Sequence, residues 1–131
     1  MADVVVIKPG QRSEHTVQTP NMVRQAGIAP DTCGSRGLWI GYVTSPSGTS
    51  GAHHHGEAES GIYVLNGRVR MHFGERLDRS VDAEAGDFIY VPPDTIHIEE
   101  NLSATDPVEL IVARNSAEYL VVNVEDPDSD A

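Results

Sequence analysis

Short apolar runs rich in Val, Ile and Tyr recur along the chain, and Gly, Pro, Asn or Asp soon closes each of them. They read "DVVVIK", "GLWIGYVTS", "SGIYVL", "RVRMHFG", "SVDAE", "DFIYVP", "HIEEN", "PVELIVAR" and "YLVVNV". This is the pattern of many short strands joined by tight turns. Asn66-Gly67 suits a type I′ hairpin, while Gly74, Gly86 and Pro92-Pro93 break other runs. Helical spacing is scarce, and "TPNMVRQAGIAP" (19–30) is the one stretch that reads as a short helical turn. Strands with no helices between them pair antiparallel, and 131 residues suffice for one sandwich or barrel around one core. The expected fold class is all-β. A single domain is expected over residues 1–124, and the acidic residues 125–131 read as a solvated tail.

The formal net charge of −11 argues against nucleic acid, whose binders line up cations along the phosphates. No stretch is apolar over the length needed to span a membrane, and the start "MADVVVIKPGQR" lacks the basic head and long apolar middle of a secretory signal. Cys33 is the sole cysteine, which removes both a disulfide framework and a thiolate zinc site within one chain. It lacks a pattern of basic neighbours and reads as inert. A reducing, cytoplasmic setting is expected.

Three adjacent histidines, His53, His54 and His55, open one of the runs. Successive side chains of a strand point to opposite faces, so His53 and His55 share a side and His54 takes the other. Two imidazoles so placed can hold one metal ion, and His97, after a rigid Pro-Pro turn, is the third ligand the sequence offers. The cofactor expected is one divalent ion: Zn, Fe, Ni, Cu or Mn. His15, His54 and His72 read as solvent-facing, and Glu57 and Glu59 as charges on a loop rim. Counting from His97, alternation puts Glu99 on the metal side. Buried there, it becomes a candidate general base; at a watery mouth, it is an ordinary carboxylate.

These two segments resemble the two motifs of the cupin superfamily. His53, His55 and Gly67 match the first; Gly86, Pro92, His97 and Asn101 match the second, with Asp94 where a second Gly is usual. The resemblance covers roughly residues 36 to 115. It implies a double-stranded β-helix, or jelly-roll barrel, holding a divalent metal, and a homodimer to which "DVVVIK" and "YLVVNV" contribute edge strands. It also implies a carboxylate ligand in the first motif, at the position Ser60 occupies, with Glu59 one residue earlier. In a regular strand Glu59 points outward and three neutral imidazoles remain; a bulge before Gly67 turns Glu59 inward. Glu59, then His72, then His54 are the candidates for the fourth position.

Parity places Ile62, Val64, Val69, Met71 and Phe73 on the face of Ser60, with Trp39 and Tyr42 near enough to close an apolar pocket. Such a lining suits a small hydrophobic or aromatic molecule, and no Gly-rich phosphate loop is present. The chain is similar to cupin-type aromatic polyketide cyclases. That resemblance implies cyclisation or isomerisation through a metal-stabilised enolate, with Glu59 or Glu99 moving the proton. The alternatives are a diketone- or flavonol-cleaving dioxygenase and a ligand-binding cupin without turnover.

Overall fold

A computed structural model describes residues 3–118 and 120–125. Among these residues, ten strands form two antiparallel five-stranded sheets. In chain order they are β1 (Val23–Ile28), β2 (Trp39–Ser45), β3 (His53–His54), β4 (Ser60–Asn66), β5 (Arg68–Phe73), β6 (Arg79–Glu84), β7 (Phe88–Val91), β8 (His97–Asn101), β9 (Val108–Arg114) and β10 (Val122–Asn123). The first sheet runs β1-β2-β9-β4-β7 and the second β10-β3-β8-β5-β6. They face each other as a jelly-roll sandwich. Alternation does the sorting: β2 and β9 bury every second residue, so Trp39, Val43, Leu110 and Val112 point inward. Ile62 and Val64 of β4 meet Val69 and Met71 of β5 in the same core. Full burial of side chains this size contributes roughly 1.5–3 kcal/mol each.

Three expectations fail. Thr19–Pro30 is not a helical turn: residues 23–28 are strand β1, paired with β2. Its inward residues are Arg24 and Ala26, so the apolar alternation that marks a strand is missing. The helix that does form, Pro30–Cys33, lies beyond it and opens on a proline, whose fixed φ suits a first helical turn.

Asn66-Gly67 does not make a hairpin. β4 pairs with β7 and β9 and β5 with β6 and β8, so this turn carries the chain from one sheet to the other. Asn66 keeps a negative φ, whereas Gly67 has φ +87, and a Cβ there would stand 2.7 Å from the Pro107 carbonyl oxygen. His72 therefore faces Ser80 and Ile98 rather than Gly61. The inward parity of Ile62, Val64, Val69 and Met71 survives because it belongs to each strand separately.

Asp3–Lys8 forms no strand, and Val4 is 97% exposed. Of "YLVVNV", only Val122–Asn123 is strand, pairing with β3. The expected tail lies outside the described residues except for Glu125. No helix among the described residues is long and apolar enough to cross a membrane.

Candidate metal centre

The three imidazoles meet in the interior. His53 lies on β3, His55 in the turn just after it, and His97 opens β8 directly opposite His53. The turn is tied to the Pro-Pro segment, since the Asp94 amide donates to the Gly56 carbonyl at 2.7 Å. One nitrogen from each ring lies within 4.8 Å of the other two, and all three residues are buried. No other group of His, Cys, Asp and Glu is gathered this closely among the described residues.

Backbone carbonyls decide which nitrogens face inward. A carbonyl only accepts, so an Nδ1 that faces one alone carries its proton: His53 Nδ1 donates to Gly51 at 2.9 Å and His97 Nδ1 to Thr95 at 2.8 Å. His55 Nδ1 stands 2.8 Å from both the Leu120 carbonyl, which accepts, and Arg114 Nη1, which donates, so neither tautomer is fixed there. In neutral His53 and His97 the lone pair then sits on Nε2, as metal ligation requires. His53 Nε2 is buried with no hydrogen-bond partner. An orphaned basic nitrogen in a triad of anchored imidazoles fits a divalent cation.

Burial, foremost, pushes His53 down to about 4, against the Glu99 charge that pulls the other way. Burial and then the Arg114 guanidinium push His55 down to about 2. Both are neutral at pH 7, the state that binds metal. His97 differs: burial opposes its charge, yet the neighbouring Glu99 carboxylate holds it above the ordinary histidine value.

Glu99 is only 3% exposed. Its oxygens face two of the rings, Oε1 at 3.5 Å from His97 Nε2 and Oε2 at 3.6 Å from His53 Nε2. Ser50 fixes it twice, its hydroxyl donating to Oε2 at 3.1 Å and accepting from the Glu99 amide at 3.0 Å. Burial alone would raise its pKa, but the cationic forms of His53 and His97, with Arg24, hold it far below the carboxylate range. A carboxylate so stabilised is a weak base.

Other expected site residues lie elsewhere. Glu59 is exposed; the Tyr90 hydroxyl donates to its Oε2, and its amide donates to Asn115. The β4–β9 register does shift between Val64 and Asn66, but β4 alternates regularly from Ser60 to Val64, so Glu59 stays outward and Ser60 faces the site, buried and with its hydroxyl unpartnered. His72 pairs with Glu100 at 2.8 Å on the outer face, and His54 accepts from the Gly56 amide. Neither reaches the triad.

The cavity among His53, His55, His97, Glu99, Arg24 and Ser60 measures about 10 Å³, room for a single ion or water. A larger cavity of about 430 Å³ lies beside it between β5, β6 and β7. Val91 is a wall of both. Ile62 lines the small cavity, and Met71 and Phe73 the large one; Val64 is packed wholly into the core and lines neither. The oily chamber expected at the metal therefore lies one residue away from it.

Sequence reading missed two buried cations. Arg24, on the wall of the small cavity, donates to Thr19 Oγ1 at 2.8 Å and to the Val17 carbonyl at 3.2 Å. Burial lowers its pKa to about 10, so it stays charged at neutral pH. Arg114 stacks on Trp39 at 3.9 Å and sits behind His55, both within hydrogen-bond distance of the Leu120 carbonyl. Arg114 ends the regular alternation of β9, which could have flagged it, whereas Arg24 lies on β1 and itself breaks the apolar pattern there.

A family model described as a cupin domain matches residues 41–114. No curated protein matches the chain. Among solved structures, the chain is similar to oxalate decarboxylase in a study of its substrate binding mode, with 21% identity and a TM-score of 0.71 over 84% of this chain and 30% of that one. A mutant of the Bacillus subtilis enzyme gives the same values. A structure from work on the Mn(II) centres of B. subtilis oxalate decarboxylase gives 20% identity and a TM-score of 0.71 over 83% and 29% of the two chains. The chain thus spans about 30% of the length of these proteins, and at this identity the likeness is one of fold.

Proposed function

The chain belongs to the cupin family, and from that premise we propose that it is a single-ion metal enzyme acting on a small apolar or aromatic carbonyl or enol compound, by cyclisation or isomerisation. The observation that carries this reading is the convergence of three backbone-anchored imidazoles, one ring nitrogen of each within 4.8 Å of the other two, around one ion-sized space. A divalent ion bound by His53, His55 and His97 would supply Lewis acidity toward a carbonyl or enol oxygen. The chain's own residues do the rest. Met71, Phe73, Val81, Ile89 and Ile96 line the larger cavity and suit the apolar body of a substrate, while Val91 sets how far a reacting oxygen enters. Arg24 favours an anionic oxygen at the inner end. We place the working unit as a homodimer.

Elemental analysis of untagged protein, followed by turnover of β-dicarbonyl and phenolic enol compounds with an oxygen electrode in line, tests this. Bound metal and product without oxygen uptake are expected. Oxygen uptake would replace the reading with a dioxygenase, and saturable binding without product with a binding module. Light scattering at micromolar concentration checks the dimer, and a monomer throughout would refute it.

One observation favours a second reading. The ion-sized cavity with Arg24 on its wall leaves little space for a bulky group and supplies a cation for a small carboxylate. A short dicarboxylate such as oxalate, the substrate named for the structural neighbours, belongs in the same panel with carbon dioxide release as its readout.

A further inference from the structure

The metal site has one departure that the larger pattern does not explain: a serine stands at the position where the cupin motif carries its carboxylate. Ser60 faces the cavity, but its hydroxyl brings no charge, and no acid on β4 replaces it, because Glu59 points outward. Meanwhile a fully formed carboxylate faces the same space from the opposite sheet. We infer that Glu99 of β8 is the fourth protein ligand of the ion, so that this chain has moved its metal carboxylate from β4 to β8. The inference rests on the metal reading above and names a member of that site.

Three observations carry it. First, Glu99 follows His97 by two residues on one strand, so both side chains must emerge on the same face. The pair repeats the spacing of His53 and His55. Second, toward His53 and His97 the distances are those of co-ligands, while the ligand atoms lying mutually within 4.8 Å are those of the three imidazoles. Groups bound about 2.1 Å from a common ion stand about 3.4 Å apart at a tetrahedral angle and about 3.0 Å apart at a right angle. The Glu99 oxygens lie 3.5 and 3.6 Å from His97 Nε2 and His53 Nε2, longer than an N–H···O bond and close to the tetrahedral edge. Third, His53 Nε2, buried beside the carboxylate, has no hydrogen-bond partner, while the Glu99 oxygens are held by the Ser50 hydroxyl and by His97. A cation shared with the carboxylate satisfies the bare nitrogen. Ser50 then has a positioning role, holding the carboxylate by its Oε2.

The consequence is electrostatic. Three imidazoles leave a divalent ion with its whole charge; Glu99 cancels one unit, as a carboxylate from β4 would. The donor types expected of the fold are kept, with the carboxylate supplied from β8 in place of β4, and Arg24 and Ser60 also line the cavity.

Cobalt(II) is the probe, because its visible absorption reports the number and type of its ligands. Wild type, Glu99→Gln, and Ser60→Glu combined with Glu99→Gln are titrated with Co(II) against a competing chelator. Circular dichroism of each metal-free form serves as the folding control. Glu99→Gln should bind Co(II) at least 100-fold more weakly, with an altered visible spectrum. The double variant, with its carboxylate returned to β4, should recover to within tenfold of wild type. A folded Glu99→Gln that binds within tenfold of wild type and with the wild-type spectrum would overturn the assignment, reducing Glu99 to an ion-pair partner of His97. If Glu99→Gln fails to fold, the double variant decides: recovered Co(II) binding supports the ligand role, and a folded double variant without it refutes it. Folded wild type that takes up no Co(II) would defeat the metal reading itself, a result distinct from either.

Discussion

The cavity among the imidazoles and the cavity beside it share Val91 as a wall and have little else in common. The small one is made of groups held from behind: three imidazoles fixed by backbone carbonyls and a carboxylate fixed by Ser50. The large one lies between β6 and β7, the end strands of the two sheets, and its lining is mostly apolar. Its rim carries exposed Val81 and Tyr90. A metal ion tolerates errors of a few tenths of an ångström in its ligands, so its site is built on paired strands and buried. An apolar molecule is recognised by shape and area, so its site can sit at an edge where side chains have freedom to adjust. The jelly roll supplies both within one residue of each other.

The largest effect that tests this division is on metal retention. His97→Ala should lose the ion, with affinity falling more than 100-fold, and should lower the melting temperature of the metal-loaded protein. His54→Ala should change neither. Binding of a fluorescent naphthalene sulfonate in the large cavity should persist in His97→Ala. Its loss would show that the two cavities are one structural unit.

A second effect belongs to the small cavity alone. In metal-free protein His53 and His55 are held at about 4 and about 2, while in the unfolded chain they titrate near the ordinary value of about 6.5. Below that value the unfolded chain binds more protons, so stability is present above pH 6.5 and is lost as pH falls toward 4. His97 has the opposite sign, being raised, so it adds stability below its unfolded value and loses it as pH rises through its folded one. Two lowered groups outweigh one raised group. A net loss on the order of 3 kcal/mol between pH 7 and pH 4.5 is expected. Urea unfolding at a series of pH values measures it, and saturating metal should steepen the profile, because it keeps His97 as well as His53 and His55 free of protons in the folded chain. A flat profile without metal would mean that the imidazoles are not desolvated as described.

How much of this was legible depended on where the information resided. The histidine spacing is a property of one strand at a time, so alternation sufficed to orient His53, His55 and His97 and to turn His54 and His72 outward. The same rule placed Glu99 on the inner face. Its burial and its hold on two rings come from the β3–β8 pairing and from Ser50, both distant in sequence. Strand β1 was misread because its inward residues are Arg24 and Ala26, and an arginine inside a sandwich breaks the apolar signal. Asn66-Gly67 was read as a hairpin because its local chemistry permits one. Which sheet each flanking strand joins is set by β8 and β9, far along the chain. Turn chemistry constrains the corner; partners decide the topology.

Val91 offers a smaller and sharper comparison. Val91→Ala thins the shared wall without removing any group that faces the ion. Its buried methyl groups are worth about 1–2 kcal/mol of stability. Metal affinity should stay within threefold of wild type, whereas exchange of bound metal with a chelator should quicken and the apparent KM for a bulky enol substrate should change. If affinity falls as far as in His97→Ala, the wall is part of the ion's support and the division between the cavities is wrong.

The smallest effect lies at the rim. Asp94 stands where the cupin motif usually has glycine, and its φ of +55 explains why, since this left-handed conformation favours glycine. Aspartate is among the residues that tolerate it best, at a penalty below the roughly 1–2 kcal/mol of an ordinary side chain. Asp94→Gly relieves that penalty but gives the unfolded chain more freedom, a term of about 0.5–1 kcal/mol in the other direction. The two nearly cancel, so stability should shift by no more than about 0.5 kcal/mol. Asp94→Val keeps a side chain that cannot relax into this conformation and should cost about 1–2 kcal/mol. Because the Asp94 amide is bonded to Gly56, beside His55, that strain reaches the small cavity through the backbone, while Asp94 also lines the large one. Thermal melts of the two variants with and without Co(II) would show which cavity feels it: a loss confined to the metal-loaded form assigns this turn to the ion site, and an equal loss in both forms assigns it to the fold.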